Sequence, residues 1–233
     1  MEQSQPLRVL QIVQGYPPEF IAGTELYSQA LAAALQERGH DCHVLAGSYA
    51  LAQAPAFITT EERGISVSRY VSPLLPPWRE RQLDPYNPEA EQVVRQHLQL
   101  VQPNVIHVHH WMRLTNTLVA VATDLGIPTV VTLHDLWTSC ARIHRQHKHG
   151  HFCQEPPTAS LCARCVDRQS WQTEAEVEQI IAVRQQQLSE ELQLASRLLV
   201  PSDAHRQLLS RLLQVNLERF QVVPNCAVTQ LRP

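Results

Sequence analysis

Four cysteines, Cys140, Cys153, Cys162 and Cys165, follow the spacing C-x12-C-x8-C-x2-C in a segment too polar and irregular to be core. Four thiolates suffice for a closed tetrahedral zinc site, and C-x2-C is a common half of one. Two disulfides are the main alternative, free thiols the next, and a nearby histidine is a further candidate for one ligand position. A second chemistry stands where two apolar runs end. His109 and His110 follow one run, and His134 with Asp135 follows another. Imidazole donates or accepts a hydrogen bond near neutral pH, and a carboxylate accepts from hydroxyl groups. One such histidine alone is an ordinary structural residue; several converging on one rim are a site. The third feature is QGYPPEFIAGTELY, residues 14–27, where Gly23 precedes a helix start. Glycine lets a ligand approach the backbone, and the first-turn N–H groups with the helix dipole favour an anion.

Alternating strands and helices must carry these groups. Residues 7–13 (LRVLQIV) are an apolar, β-branched run suited to a strand buried on both faces. Thr24 is expected to cap the following helix, with Glu25 in its first turn and Gly39 as its stop. Residues 41–46 form the second strand, 58–71 an irregular strand pair about Gly64, and 72–88 a proline-rich surface loop. Helix 87–101, strand 104–109, helix 115–125 and strand 127–133 follow. Helix 171–195 then leads into strand 197–200, and helix 202–213 into strand 220–223. Strands joined by long helices predict right-handed crossovers. The expected fold is one doubly wound, Rossmann-like α/β domain over residues 1–233, mostly parallel, with helices on both faces and a Cys-rich insertion at about 136–170. Ligands of such sheets sit beyond the carboxyl ends of the strands, where the histidines and the glycine loop stand.

Composition limits the partners. A chain of 233 residues with 44% apolar content buries a sizeable core, and a formal charge of −3 gives no reason to expect nucleic acid. The first residues show no basic leader, and their apolar run is too short to cross a bilayer, which predicts a cytoplasmic protein with mostly reduced cysteines.

Five stretches together, GYPPEFIAGTELYSQALAAALQERGHDCHVLA, VIHVHHW, IPTVVTLHDLW, LLVPSDAHRQLL and FQVVPNCAV, resemble landmarks of family-four glycosyltransferases of the GT-B fold, in order and over nearly the whole chain. Two departures are Ala22-Gly23 in place of a double glycine and Cys226 in place of a glycine. The resemblance implies the N-terminal, acceptor-side half of a retaining enzyme. Such an enzyme moves a sugar from a nucleotide-sugar donor to an acceptor hydroxyl in polysaccharide or glycolipid synthesis. The donor would lie chiefly on a C-terminal domain that this chain does not include, so the isolated chain is expected to be inactive. Gly23 and Thr24 would meet its diphosphate. His134 and Asp135 would be catalytic; Glu25, His109, His110 and Arg142 would face the saccharide or lipid-linked acceptor. Arg142 opens a basic, histidine-rich stretch to His151 that would meet a phosphorylated acceptor at the inner face of a membrane, and Trp78 and Tyr86 would stack on an acceptor sugar. The cysteine-rich insertion recurs in part of the family, which supports a structural ion there, and no catalytic metal is expected. The alternative is a non-catalytic accessory module of the same fold. A nicotinamide oxidoreductase is disfavoured, because no Gly-x-Gly-x-x-Gly follows the first strand.

Overall fold

The computed structural model describes residues 5–73 and 87–225. Trp78, Tyr86 and Cys226 lie outside these residues, as does most of the proline-rich loop. Eight strands form one sheet in the order β3-β4-β2-β1-β5-β6-β7-β8. They are β1 (Arg8–Val13), β2 (Asp41–Leu51), β3 (Ala56–Glu62), β4 (Ile65–Ser72), β5 (Val105–Val108), β6 (Thr129–Thr132), β7 (Arg197–Val200) and β8 (Phe220–Val222). The helices are α1 (Gly23–Glu37), α2 (Pro88–Val101), α3 (Leu118–Asp124), α4 (Ala159–Ala163), α5 (Glu174–Leu194) and α6 (Asp203–Leu213). All strand pairs are parallel except β3 with β4, whose antiparallel register runs unbroken from Ala56 opposite Val71 to Glu62 opposite Ile65. That pair is a regular hairpin rather than the irregular one expected. Arg63 and Gly64 turn it at φ 56° and 77°, the left-handed conformation that matches the twist of the two strands.

The period of two along β1 divides the core. Leu10 and Ile12 pack with Ala90, Val94 and Leu98 of α2 and Leu188 and Leu192 of α5, whereas Val9 and Val13 pack on the other face with Ala32 of α1. Both faces are therefore covered, as the apolar sequence of β1 requires.

Three helix starts differ from expectation: α5 begins at Glu174 rather than at 171, and α1 and α3 also shift. The first helix begins at Gly23, with Ala22 in extended backbone (φ −137°, ψ −177°) as its cap, so Thr24 is inside the first turn and its hydroxyl caps nothing. Helix α3 is shorter than 115–125, because Thr115 and Thr117 bond each other and Thr117 also bonds Glu91. Its first-turn N–H groups instead reach across to α5. Glu191, 1% exposed, accepts from Val119 N (2.6 Å), Ala120 N (2.8 Å) and Trp111 Nε1 (2.7 Å). Burial raises this carboxyl to about 7, against the pull of the three donors. A distant carboxylate thus satisfies the helix end that local sequence leaves open.

The insertion carries a small core of its own, in which Ala141, Ala163, Val166, Val177 and Ile181 cluster on the first half of α5. Thr173 and Glu176 close a reciprocal capping box at the start of that helix. Among the described residues no helix is long and apolar enough to cross a membrane.

Candidate functional site

The strand order reverses between β1 and β5, and the predicted residues gather beyond the carboxyl ends of β1, β5 and β6. Such a reversal opens a crevice because the connections on its two sides leave in opposite directions. From β1 the chain passes through Gln14 to the loop before α1, and β5 and β6 deliver the histidines.

At the rim His109 Nδ1 lies 3.0 Å from His134 Nε2, and His109 Nε2 lies 2.9 Å from the Gln11 amide in the middle of β1. The Tyr27 ring, on α1, meets both imidazoles edge-on at centroid distances of 5.7 and 4.9 Å. The helix start and the histidine rim are thereby one packed unit. His109 is only 2% exposed and both its nitrogens are engaged. Direct contact with an acceptor, expected from the sequence, is therefore closed to it; its reach is through His134. His110 is also buried; its Nδ1 accepts from Met112 N at 3.0 Å, which turns Nε2–H toward Asp135 Oδ2 at 3.7 Å. Asp135 Oδ1 accepts from Trp137 N at 2.8 Å, and its carbonyl receives His205 Nε2 at 3.2 Å. Burial alone would raise the Asp135 carboxyl, but His110 and the Trp137 N–H outweigh it and hold it below the ordinary range. The rim thus presents one carboxylate and one partly exposed imidazole.

Burial lowers the imidazoles. His97 falls to about 4, His107 to about 3 and His134 to about 4, in each case chiefly by desolvation, and His109 falls well below its ordinary value for the same reason. Because their folded values lie under the unfolded value near 6.5, the unfolded chain binds more protons in this range. Stability is therefore complete above pH 6.5 and is lost as pH falls toward 4. Glu191 has the opposite sign between about 7 and its ordinary 4.5, but it is one group against four. The urea midpoint should drop between pH 7.5 and pH 5; an unchanged midpoint would mean that these histidines titrate normally.

The other side of the crevice is the start of α1. A methyl group at Gly23 would meet nothing within 4 Å, so the backbone there is open to a ligand. Glu25 is 3% exposed and its Oε1 accepts from Gln14 Nε2 at 2.9 Å, while Oε2 has no partner among the described residues. Arg113, with φ 66°, donates to the Gln14 carbonyl (2.9 Å) and to the Tyr49 hydroxyl, and lies 4.4 Å over the Phe20 ring. It clamps the loop that leads into α1. Arg142 is turned away into the insertion, where it bonds Gln146 O, Cys165 O and Asp167.

The cysteines Cys140, Cys153, Cys162 and Cys165 are free. Burial raises the Cys162 thiol to about 11, with the nearby Cys140, Cys153 and Cys165 adding to the effect. Among the described residues no group of three or more His, Cys, Asp or Glu side chains stands close enough to hold a metal ion. Two buried guanidiniums border the thiols. Arg145 donates to Ser139 O (2.6 Å), Cys153 O (2.8 Å) and Cys153 Sγ (3.4 Å), and Arg184 donates to Trp137 O (2.6 Å) while stacking on that indole.

Sequence reasoning missed Gln11, Tyr27 and Arg113. Gln11 did leave a signal, since it is the one uncharged polar residue inside the apolar run of β1. Tyr27 and Arg113 left none, because their partners are set by the fold.

The doubly wound sheet thus sets an open helix start beside a rim of histidine and aspartate. The chain matches the model of Glycosyltransferase Family 4 over residues 21–231, and it belongs to that family. No curated protein matches it. Solved structures share the fold at low identity. One is an alpha,alpha-trehalose 6-phosphate synthase from Burkholderia multivorans (TM-score 0.54, 12% identity), with 88% of this chain and 42% of that chain covered. A second, described as trehalose-6-phosphate from E. coli bound with UDP-2-fluoro glucose, has TM-score 0.51 and 12% identity, covering 93% and 48%. A sucrose-phosphate synthase from Thermosynechococcus elongatus has TM-score 0.50 and 12% identity, again covering 93% and 48%. The chain therefore spans less than half the length of each of these structures.

Proposed function

We propose that this chain is the acceptor-side half of a retaining glycosyltransferase that moves a sugar from a nucleotide-sugar donor to a hydroxyl of a saccharide or lipid-linked acceptor. The observation that carries the reading is that Tyr27 joins the open N-terminus of α1 to His134 and, through it, to the Asp135 rim at the reversal of the sheet. The N–H groups of Gly23 and Thr24 would receive the donor diphosphate and stabilise charge on the leaving group. His134 would bind the transferred sugar or the diphosphate, and Asp135 an acceptor hydroxyl. Glu25, whose unpartnered Oε2 is buried, would take a further hydroxyl only after that oxygen is uncovered. Use in polysaccharide or glycolipid synthesis, on the cytoplasmic side of a membrane, is supported by the composition of the insertion, in which Arg142, Lys148, Arg164 and Arg168, besides the buried Arg145, outnumber Glu155 and Asp167.

A structural zinc ion on Cys140, Cys153, Cys162 and Cys165 belongs to the same proposal. Bound zinc would supply a fixed tetrahedral crosslink and no catalysis. Support comes from the donor set and from charge: Arg145 and Arg184 are buried without a paired carboxylate among the described residues, and a zinc tetrathiolate of net charge −2 would balance them. The ion would have to draw the sulfurs closer than they stand.

The test is a screen of nucleotide sugars for donor hydrolysis and transfer, run on the longest polypeptide that the reading frame encodes, with this 233-residue chain in parallel. Turnover by the longer polypeptide and none by the chain alone is the expected result. Absence of turnover and of donor binding by both would remove the reading.

A further inference from the structure

We infer that Gln11 is a positioning residue that fixes His134 as a hydrogen-bond donor at Nδ1, through His109. The inference rests on the transfer reading only for the identity of the ligand. Its evidence is a ladder of donors and acceptors running from the interior of α1 to the rim. The Gln11 side chain is fully buried, and only one orientation of its amide gives both its oxygen and its nitrogen suitable partners. In that orientation Oε1 accepts from Ala32 N at 3.0 Å, while Nε2 turns its two hydrogens toward its nearest acceptors, Ser28 Oγ and His109 Nε2, both at 2.9 Å, with Ser28 O farther off at 3.2 Å. The opposite orientation sets the amide nitrogen against the Ala32 N–H.

The remaining steps follow from imidazole chemistry. A neutral imidazole has one N–H and one lone pair. His109 Nε2 accepts from Gln11, so its proton is on Nδ1, and that N–H points at His134 Nε2 across 3.0 Å. His134 Nε2 is then the acceptor, and the proton of neutral His134 is on Nδ1. Among the described residues Nδ1 of His134 has no hydrogen-bond partner. A protonated His134 would set N–H against N–H across the same 3.0 Å, so the ladder also resists a charged imidazole. Burial acts in the same direction.

The consequence is a restriction on chemistry. His134 meets its ligand with an N–H and no lone pair, so it cannot take a proton from an acceptor hydroxyl. It can hold an oxygen that carries lone pairs, such as a phosphoryl oxygen of a departing diphosphate or a hydroxyl oxygen of the sugar. Gln11 touches no ligand; it acts by deciding which nitrogen of His134 carries hydrogen.

Long-range proton–nitrogen correlation spectra of this full chain, labelled with ¹⁵N at histidine, test the ladder between pH 6 and 8. The expected pattern is protonated Nδ1 and bare Nε2 on both His109 and His134. The expected form of His134 exceeds the other by at least about tenfold, the ratio that a net hydrogen bond of about 1.4 kcal/mol sustains. The reverse pattern on either ring would overturn the inference. Gln11→Met keeps the length of the side chain and removes the amide. With far-UV circular dichroism unchanged, His134 in this variant should become a mixture of tautomers, and a folded variant that keeps the Nδ1–H form of His134 would refute the role of Gln11. If Gln11→Met does not fold, the wild-type spectrum decides alone. Expected tautomers with no sugar transfer by the longer polypeptide would remove the transfer reading and leave the ladder; reversed tautomers with transfer would do the opposite.

Discussion

His134→Ala is expected to lower the turnover of the longest encoded polypeptide at least about tenfold, a rise of roughly 1.4 kcal/mol or more in the barrier, while leaving the fold intact. The side chain is partly exposed at the end of β6, so its removal opens space to solvent rather than a sealed cavity. Water can then accept from His109 Nδ1, which keeps that donor satisfied. What is lost is the Nδ1–H donor that the ladder assigns to His134, the residue before Asp135, and such preorganised donors contribute to the transition state more than to ground-state binding. The loss should therefore appear in kcat rather than in KM for the donor. Since the His134 imidazole is lowered to about 4, the wild-type rate should not change between pH 6 and 8 on its account. A variant with unchanged kcat, or one that simply unfolds, would return His134 to a structural role.

Cys162→Ser carries the other large expected effect. Protein purified without chelator or a histidine tag should hold about one zinc per chain, and the variant should hold none. Free energies of structural zinc are on the order of 10 kcal/mol, far above what the small cluster about Ala141, Val166 and Ile181 supplies. Amide exchange across residues 140–165 should accelerate accordingly. The central strands should keep most of their protection, because the insertion adds only Leu136, Trp137 and Ile143 to their core. Metal-free wild-type protein with Cys140, Cys153, Cys162 and Cys165 all freely titratable would refute the zinc site.

The pattern of strands and helices was legible because it rests on local signals. The run of apolar residues in β1, Asn87 capping Ala90 N and Ser202 capping His205 N each announce an element within a few residues, whereas the pairing of Thr173 with Glu176 went unread and the helix was expected from 171. The start of α3 was not, since Glu191 caps it from another helix, more than seventy residues away. The same limit applies to the rim. His109, His134 and Asp135 were visible as residues that follow strands, but the burial of His109 was not. It depends on Gln11 and Tyr27 arriving from other elements. The extra length of β2, from 46 to Leu51, depends on β4, which pairs with it as far as Ser72. Nothing in its own residues after Ala46 demands a strand.

The position of β1 also matters while the chain is being made. Its two neighbours are far apart in sequence: Arg8 pairs with Asp41, and Val9 also pairs with Val105. During vectorial synthesis β1, α1 and β2 emerge first, so the helix start that would bind an anion can assemble early. One edge of β1 then has no partner until β5 leaves the ribosome, and His134 follows later still. That interval leaves the edge of a largely apolar strand open for the time needed to add some sixty residues, at about 5–20 residues per second. The two halves of the site are thus separated in time by the order of the sheet, and the nascent chain is most exposed to aggregation just before they meet.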